Sequence, residues 1–153
     1  MIKFMTRFFK QHLGIYRVNN FYEMFDTSQV FATQSLPKGK NIAITTSSGS
    51  LGILACDQIE QLGLNLAVLS KSTIHEMKSI TPHLKELRNL SSKLKKPIII
   101  CVFGSRWVVE YFLKYATKYK IPIMTQISHA IKAFKFMYNF SKSNKNMINN
   151  TEI

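Results

Sequence analysis

This 153-residue sequence predicts an α/β fold with helices on both faces of a short, mostly parallel sheet. Three observations carry the prediction. Strand-like and helix-like segments alternate from residue 41 to residue 140. The segment Pro97–Phe103 is almost continuously apolar, as a strand covered on both faces must be. Tight turns of small residues lead from strand to helix at Ser47–Gly52 and at Gly104–Ser105.

Residues 4–13 read as a helix with Phe4, Phe8 and Phe9 on one face, stopped by Gly14, and Ile15–Val18 as a short strand. Asn20 has the side chain that caps a helix start. A second helix is therefore predicted over Phe21–Gln34, with Phe21, Met24, Phe25 and Phe31 turned inward at helical spacing. Pro37, Lys38 and Gly39 make a turn. Residues 1–40 thus form a helix-and-strand lead-in, and 41–140 the α/β domain proper.

That domain opens with a strand over Asn41–Thr46, the loop Ser47–Gly52 and a helix over Leu51–Leu62. Leu51, Leu54, Ala55 and Ile59 form the helix's apolar stripe. Gly63 closes it, because glycine enters the left-handed region without steric cost. Leu66–Leu69 is the next strand. Ser72 caps a short helix through Lys78, and Thr81–Pro82 starts another to Leu94, since proline loses nothing at a first helical position. Then come the buried strand Pro97–Phe103, a helix over Arg106–Lys118, a strand over Ile121–Met124 and a helix over Ile127–Phe140. From Ser141 the chain turns polar, and 141–153 reads as a frayed tail. Parallel strands joined by helical crossovers of one hand imply a flavodoxin-like three-layer sandwich.

Composition narrows the function. Hydrophobic residues at 46% and aromatic residues at 12% suffice for one core, which excludes disorder along the whole length. Two cysteines exclude a disulfide-stapled mini-protein. The longest apolar run, Ile98–Phe103, is strand-sized and far short of a membrane span. Lys3, Arg7 and Lys10 break up the aromatic N-terminus, which reads as an ordinary helix of a cytoplasmic chain rather than a leader. With 21 basic against 8 acidic residues the net charge is +13, and such a field draws anions. The basic residues are scattered, and no zinc-finger, helix-turn-helix or aromatic–basic stacking signature appears. Specific nucleic-acid recognition is therefore not predicted; a small anionic ligand or an acidic partner surface fits better.

The segment from Asn41 to Leu62 concentrates the chemistry. In open α/β sheets ligands sit beyond the carboxyl ends of strands. There a helix start presents unpaired N–H groups and a favourable dipole to an anion. Gly49 and Gly52 allow close approach, and Ser47, Ser48 and Ser50 add hydroxyl donors. A phosphate or phosphoryl group suits such a cradle. SSGSLG is neither a P-loop, lacking Gly-Lys-Ser/Thr, nor a G-x-G-x-x-G fingerprint. A tight turn that binds nothing has the same pattern.

Phe8 to Pro82 resembles the alpha region of nucleoside-diphosphate-forming acyl-CoA synthetases. These include the ADP-forming acetyl-CoA synthetases, relatives of succinyl-CoA synthetase. The resemblance runs through FFKQHLGIYRV, the acidic–aromatic helix after Asn20, PKGKNIAI, the TTSSGSLGILACD loop and helix, and LSKST. Lys95 to Phe140 resembles a later piece of the same proteins, in which a Lys-Pro strand ends in glycine and an Ile-Pro strand follows. The resemblance implies that the helix start at Ser47, Ser48, Gly49, Ser50 and Gly52 cradles the phosphoryl group of a phosphohistidine, with Asp57 on the following helix, where it either orients the loop or simply decorates the helix surface. Ser47 stands where the family usually has Asn, Ser50 where it has Gly and Leu51 where it has Pro. The family's phosphorylated histidine, in a Ser-His-Thr-Gly segment, and its CoA-binding and ATP-grasp domains have no counterpart here. Pro82 leads almost directly to Lys96–Pro97, as though an internal stretch were deleted. The resemblance thus implies a shortened acyl-CoA synthetase-like piece, not competent alone, that binds phosphate, ADP or CoA. It would act beside chains carrying the missing domains or stand as a remnant. The alternative is a non-catalytic acyl-CoA- or nucleotide-binding regulatory module, like relatives fused to protein-lysine acetyltransferases.

The remaining chemistry-bearing residues read as structural. His129 in Ser128-His129-Ala130 reads as an ordinary helix histidine. His12, His75 and His83 lack partners at metal-ligand spacing, so no metal is predicted. Cys56, mid-helix, and Cys101, in the apolar strand, have no basic neighbour to activate them and read as inert thiols. Trp107 and Phe112 read as core or as packing against a partner domain. No catalytic residue is assigned.

Overall fold

The computed structural model describes residues 15, 17–46, 48–80 and 83–150. The expected helix over 4–13 with His12, the loop residue Ser47 and the Thr81–Pro82 helix start lie outside the described residues. In chain order the elements are α1 (Phe21–Thr33), β1 (Asn41–Ile42), α2 (Gly49–Gln61), β2 (Asn65–Leu66), α3 (Lys71–Ile80) and α4 (Leu84–Leu94). Then follow β3 (Ile100–Cys101), α5 (Arg106–Tyr119), β4 (Ile123–Met124) and α6 (Ile127–Asn150). The alternation of strand and helix is the predicted one.

The strands are short and parallel. β1 pairs with β2, Asn41 opposite Asn65 and Ile42 opposite Leu66. β3 pairs with β4, Ile100 opposite Ile123 and Cys101 opposite Met124. Among the described residues the ladders join strands in these two pairs only. The strands predicted over 41–46 and 97–103 thus contribute only two paired residues each.

Helix α6 links the two halves. Its Ala130, Ala133 and Met137 pack with Val30 of α1 and Met124 of β4, and Phe31, Leu36, Ile99 and Cys101 close around them. Its Ile131 packs with Ala55 and Ile59 of α2 and with Leu64, and Ile42 and Ile44 press on that cluster. A third cluster joins Val102, Ala116, Ile121 and Ile123 to Leu87, Val108 and Phe112. The same helix therefore buries apolar surface against both strand pairs, and each fully buried aliphatic side chain contributes about 1.5–3 kcal/mol over exposure. α6 also carries the predicted polar tail: the helix continues past Phe140 to Asn150.

Two helix ends follow local chemistry. Asn20 caps α1 as expected, its side chain accepting from the Glu23 amide at 2.8 Å. α2 ends in a Schellman motif. Gly63, at φ +64°, donates to Glu60 at 2.8 Å and Leu64 to Ile59 at 3.0 Å. Leu64 and Ile59 then meet in one cluster.

The inner face of α1 is a correction. Phe21, Met24 and Phe25 are exposed, and Glu23 and Val30 are buried instead. The reason is polar. The Glu23 carboxylate takes the Asn19 amide at 2.6 Å and the Asn19 side-chain nitrogen at 2.9 Å, with Lys132 of α6 at 3.8 Å. A carboxylate satisfied in this way can be buried, and it turns the aromatic side of the helix outward.

Candidate anion-binding helix start

β1 delivers the chain to the start of α2. Thr46 closes the turn: its Oγ1 accepts the Ser48 amide at 3.1 Å and donates to the Ser48 carbonyl at 3.3 Å. Ser48 is the N-cap, in extended conformation, and its hydroxyl makes no capping bond. That hydroxyl lies 3.1 Å from the Ser50 hydroxyl. The Gly52 amide already makes the first intrahelical bond, to the Ser48 carbonyl at 3.1 Å. Among the described residues nothing accepts from the amides of Gly49, Ser50 and Leu51. These are the orphan donors that every helix start leaves, here flanked by two hydroxyls and with no acidic side chain in the first turn.

The two glycines differ. A Cβ on Gly49 would meet nothing within 4 Å, whereas one on Gly52 would come within 3.3 Å of the Thr46 methyl. Gly52 lets Thr46 fold over the helix start; Gly49 leaves the space beyond it open. Ser48, Gly49, Ser50 and Gly52 are therefore brought together. Asp57 is not among them. It is exposed and lies about 12 Å further along the axis at 1.5 Å per residue.

A polar pair that local sequence gave no sign of lies between α1 and α6. His129 Nδ1 is 2.6 Å from Asp26 Oδ2, with side-chain exposures of 17% and 26%. The partners are 103 residues apart, so only the tertiary fold unites them. Burial, with Asp26 adding to it, pushes the Cys101 thiol up to about 11. That agrees with an inert sulfhydryl. Trp107 is 71% exposed rather than part of the core. Among the described residues no three His, Cys, Asp or Glu side chains are grouped to hold a metal, and no helix is long and apolar enough to cross a membrane.

No family profile matches the sequence. Individual relatives do. The alpha subunit of ADP-forming acetate–CoA ligase II of Pyrococcus furiosus is 41% identical over 81 residues, 53% of this chain and 17% of that one. ADP-forming acetate–CoA ligase II of Archaeoglobus fulgidus is 36% identical over 76 residues, 50% of this chain and 11% of its own. The alpha subunit of the P. furiosus enzyme I is 32% identical over 76 residues, 50% of this chain and 15% of its own. The chain thus spans less than a fifth of these relatives. In three dimensions it superposes on the crystal structure of PH0766 from Pyrococcus horikoshii with a TM-score of 0.76 and 20% identity, over 92% of this chain and 44% of that one. The α/β fold is therefore a known one. Over about half of its length, the chain is similar in sequence to a segment of the ADP-forming acetate–CoA ligases.

Proposed function

We propose that this chain is a phosphate-binding piece of an ADP-forming acyl-CoA synthetase system that does not ligate alone. It would work in the cytoplasm beside chains supplying the CoA-binding and ATP-grasp parts. The observation that carries the reading is the 41% identity to a subunit whose name specifies acetate, CoA and ADP. The start of α2 supports it. The amides of Gly49, Ser50 and Leu51 and the hydroxyls of Ser48 and Ser50 can surround a phosphoryl oxygen, and the helix dipole favours its charge. The side chains at this start are serine, glycine and leucine. None is a general base or acid at neutral pH, so the cradle would hold and orient a phosphoryl group while another chain supplies the reacting histidine. The same lack of acid–base groups is what a regulatory module binding acyl-CoA or nucleotide without turnover would have.

The test is thermal unfolding with phosphate, ADP or CoA against chloride at matched ionic strength. A ligand at 100 times its dissociation constant adds about 2.7 kcal/mol. For a chain of this size that is a rise of roughly 5–10 °C in Tm. Gly49→Ala should fold as well as the parent, because its methyl meets open space, yet should lose most of the ligand-induced rise. No rise with any of the three, or an undiminished rise in Gly49→Ala, would refute the cradle. Copurification with ATP-grasp-bearing chains separates a subunit from a free-standing regulatory module.

A further inference from the structure

Helix α5 has a second functional-looking face, on an element packed against α4 and β4 rather than on α2. Val108, Val109, Phe112 and Ala116 turn into the third core cluster. On the other side Trp107, Tyr111 and Tyr115 stand 71%, 54% and 39% exposed. They recur every fourth residue over about 12 Å of helix. Lys114 and Lys118, both exposed, fall on the same stripe at the intervening positions. The rings form a shelf: Tyr111 and Tyr115 have centroids 4.5 Å apart, and Phe112 meets Tyr111 edge-on at 5.8 Å. Arg106 at the helix start is paired with Glu110 at 2.8 Å, and the cations among the rings are Lys114 and Lys118, the latter 5.8 Å from the Tyr119 ring centroid.

Four occupants compete for an exposed patch of this kind. A second copy of a +13 chain is repelled. A bilayer surface accepts Trp, Tyr and Lys, but an interfacial helix also buries a broad apolar face in it, and the valines and Phe112 of α5 are turned into the core instead. A protein partner suits Trp and Tyr, but lysine is depleted at the centre of protein interfaces. A phosphate polymer with free bases uses both residue types. Bases stack on aromatic rings in sequence-tolerant fashion, and lysines neutralise phosphates with release of counterions.

We propose that the outer face of α5 docks single-stranded nucleic acid without sequence preference, bases on Trp107, Tyr111 and Tyr115 and phosphates on Lys114 and Lys118. The chain holds a single tryptophan, so Trp107 emission reports this face directly. Titration with a labelled oligothymidylate should quench Trp107 and raise the label's anisotropy, with weaker quenching by a duplex. Tyr111→Ala/Tyr115→Ala should weaken binding at least tenfold, while Tyr111→Phe/Tyr115→Phe, which keeps the rings, should bind as the parent does. Lys114→Gln/Lys118→Gln should flatten the slope of log affinity against log salt by about 1.4, at roughly 0.7 per phosphate. Any polyanion attracts a +13 chain, so dependence on the rings decides. Binding that survives ring removal with Trp107 emission unmoved would overturn the proposal. So would equal quenching by the duplex, an unchanged salt slope in the lysine variant, or a Trp107 blue shift on phosphatidylcholine–phosphatidylserine vesicles without a response to the oligonucleotide.

Discussion

Gln34 ties together more of the chain than its polarity suggests. It is 8% exposed, just past the end of α1. Its side-chain nitrogen donates to the Lys120 carbonyl at 3.0 Å, and its oxygen accepts from the Ile98 amide at 3.0 Å and the Ser91 hydroxyl at 3.4 Å. One amide thus joins α1, the end of α4, the approach to β3 and the end of α5. Gln34→Ala removes a donor and an acceptor together and strands a buried N–H and C=O, each costing about 1–3 kcal/mol if water does not reach it. The expected loss is roughly 2–4 kcal/mol, read from urea unfolding; a loss below about 1 kcal/mol would mean water replaces the side chain. The sequence carried no sign of this, since a glutamine before a turn looks like surface. The serines and glycines of the α2 start were legible, because strand–small loop–helix is a local pattern. The burial of Glu23 and the His129–Asp26 pair were not, because each depends on a partner across the fold.

At the scale of elements, helix existence followed from apolar spacing, and helix ends from caps. Asn20 and Gly63 act where their chemistry predicts. α3 is capped by Ser70, whose hydroxyl accepts from the Thr73 amide at 3.1 Å, and not by the predicted Ser72. Two C-terminal ends lack the expected residue. α4 and α5 both close on a lysine in the left-handed region, Lys95 at φ 51° and Lys120 at φ 53°. The bonds that hold them there run from Lys96 to Ser91 at 3.1 Å and from Ile121 to Ala116 at 3.0 Å. They are C-terminal caps of the usual type without the usual glycine, so each lysine carries a steric cost of about 1–2 kcal/mol. Lys95→Gly removes that cost and adds unfolded-state entropy, for a net gain of roughly 0.5–1 kcal/mol. A rise of a few degrees in Tm, with no change in the dependence on denaturant, is the expected outcome; a fall would show that the lysine stem packs usefully there. Strand lengths are less legible in the sequence than helices. Apolar runs such as Pro97–Phe103 mark where chain is covered, and burial by helices supplies that cover whether or not a neighbouring strand pairs along the run.

At the scale of the whole molecule, charge acts against the fold that α6 holds together. With 21 cations and 8 carboxylates, at least thirteen cations have no carboxylate of their own. Self-repulsion at that net charge disfavours the compact state and is screened by salt, with a Debye length of about 10 Å at 0.1 M. Stability should therefore climb with sodium chloride from low ionic strength and level off near physiological salt. The part of the effect that is general screening will appear with any monovalent anion. A site at the start of α2 adds something different in kind, a gain from phosphate above the chloride curve at equal ionic strength that saturates with concentration. Charge alone predicts parallel curves for the two anions. A chloride series that leaves Tm flat would show that the cations lie too far apart to repel. A phosphate series that merely overlays chloride would leave the sequence similarity to the ADP-forming acetate–CoA ligases intact while removing the anion site. Separating the two terms needs only the parent and Gly49→Ala, because that substitution leaves the net charge at +13 and alters the mouth of one helix.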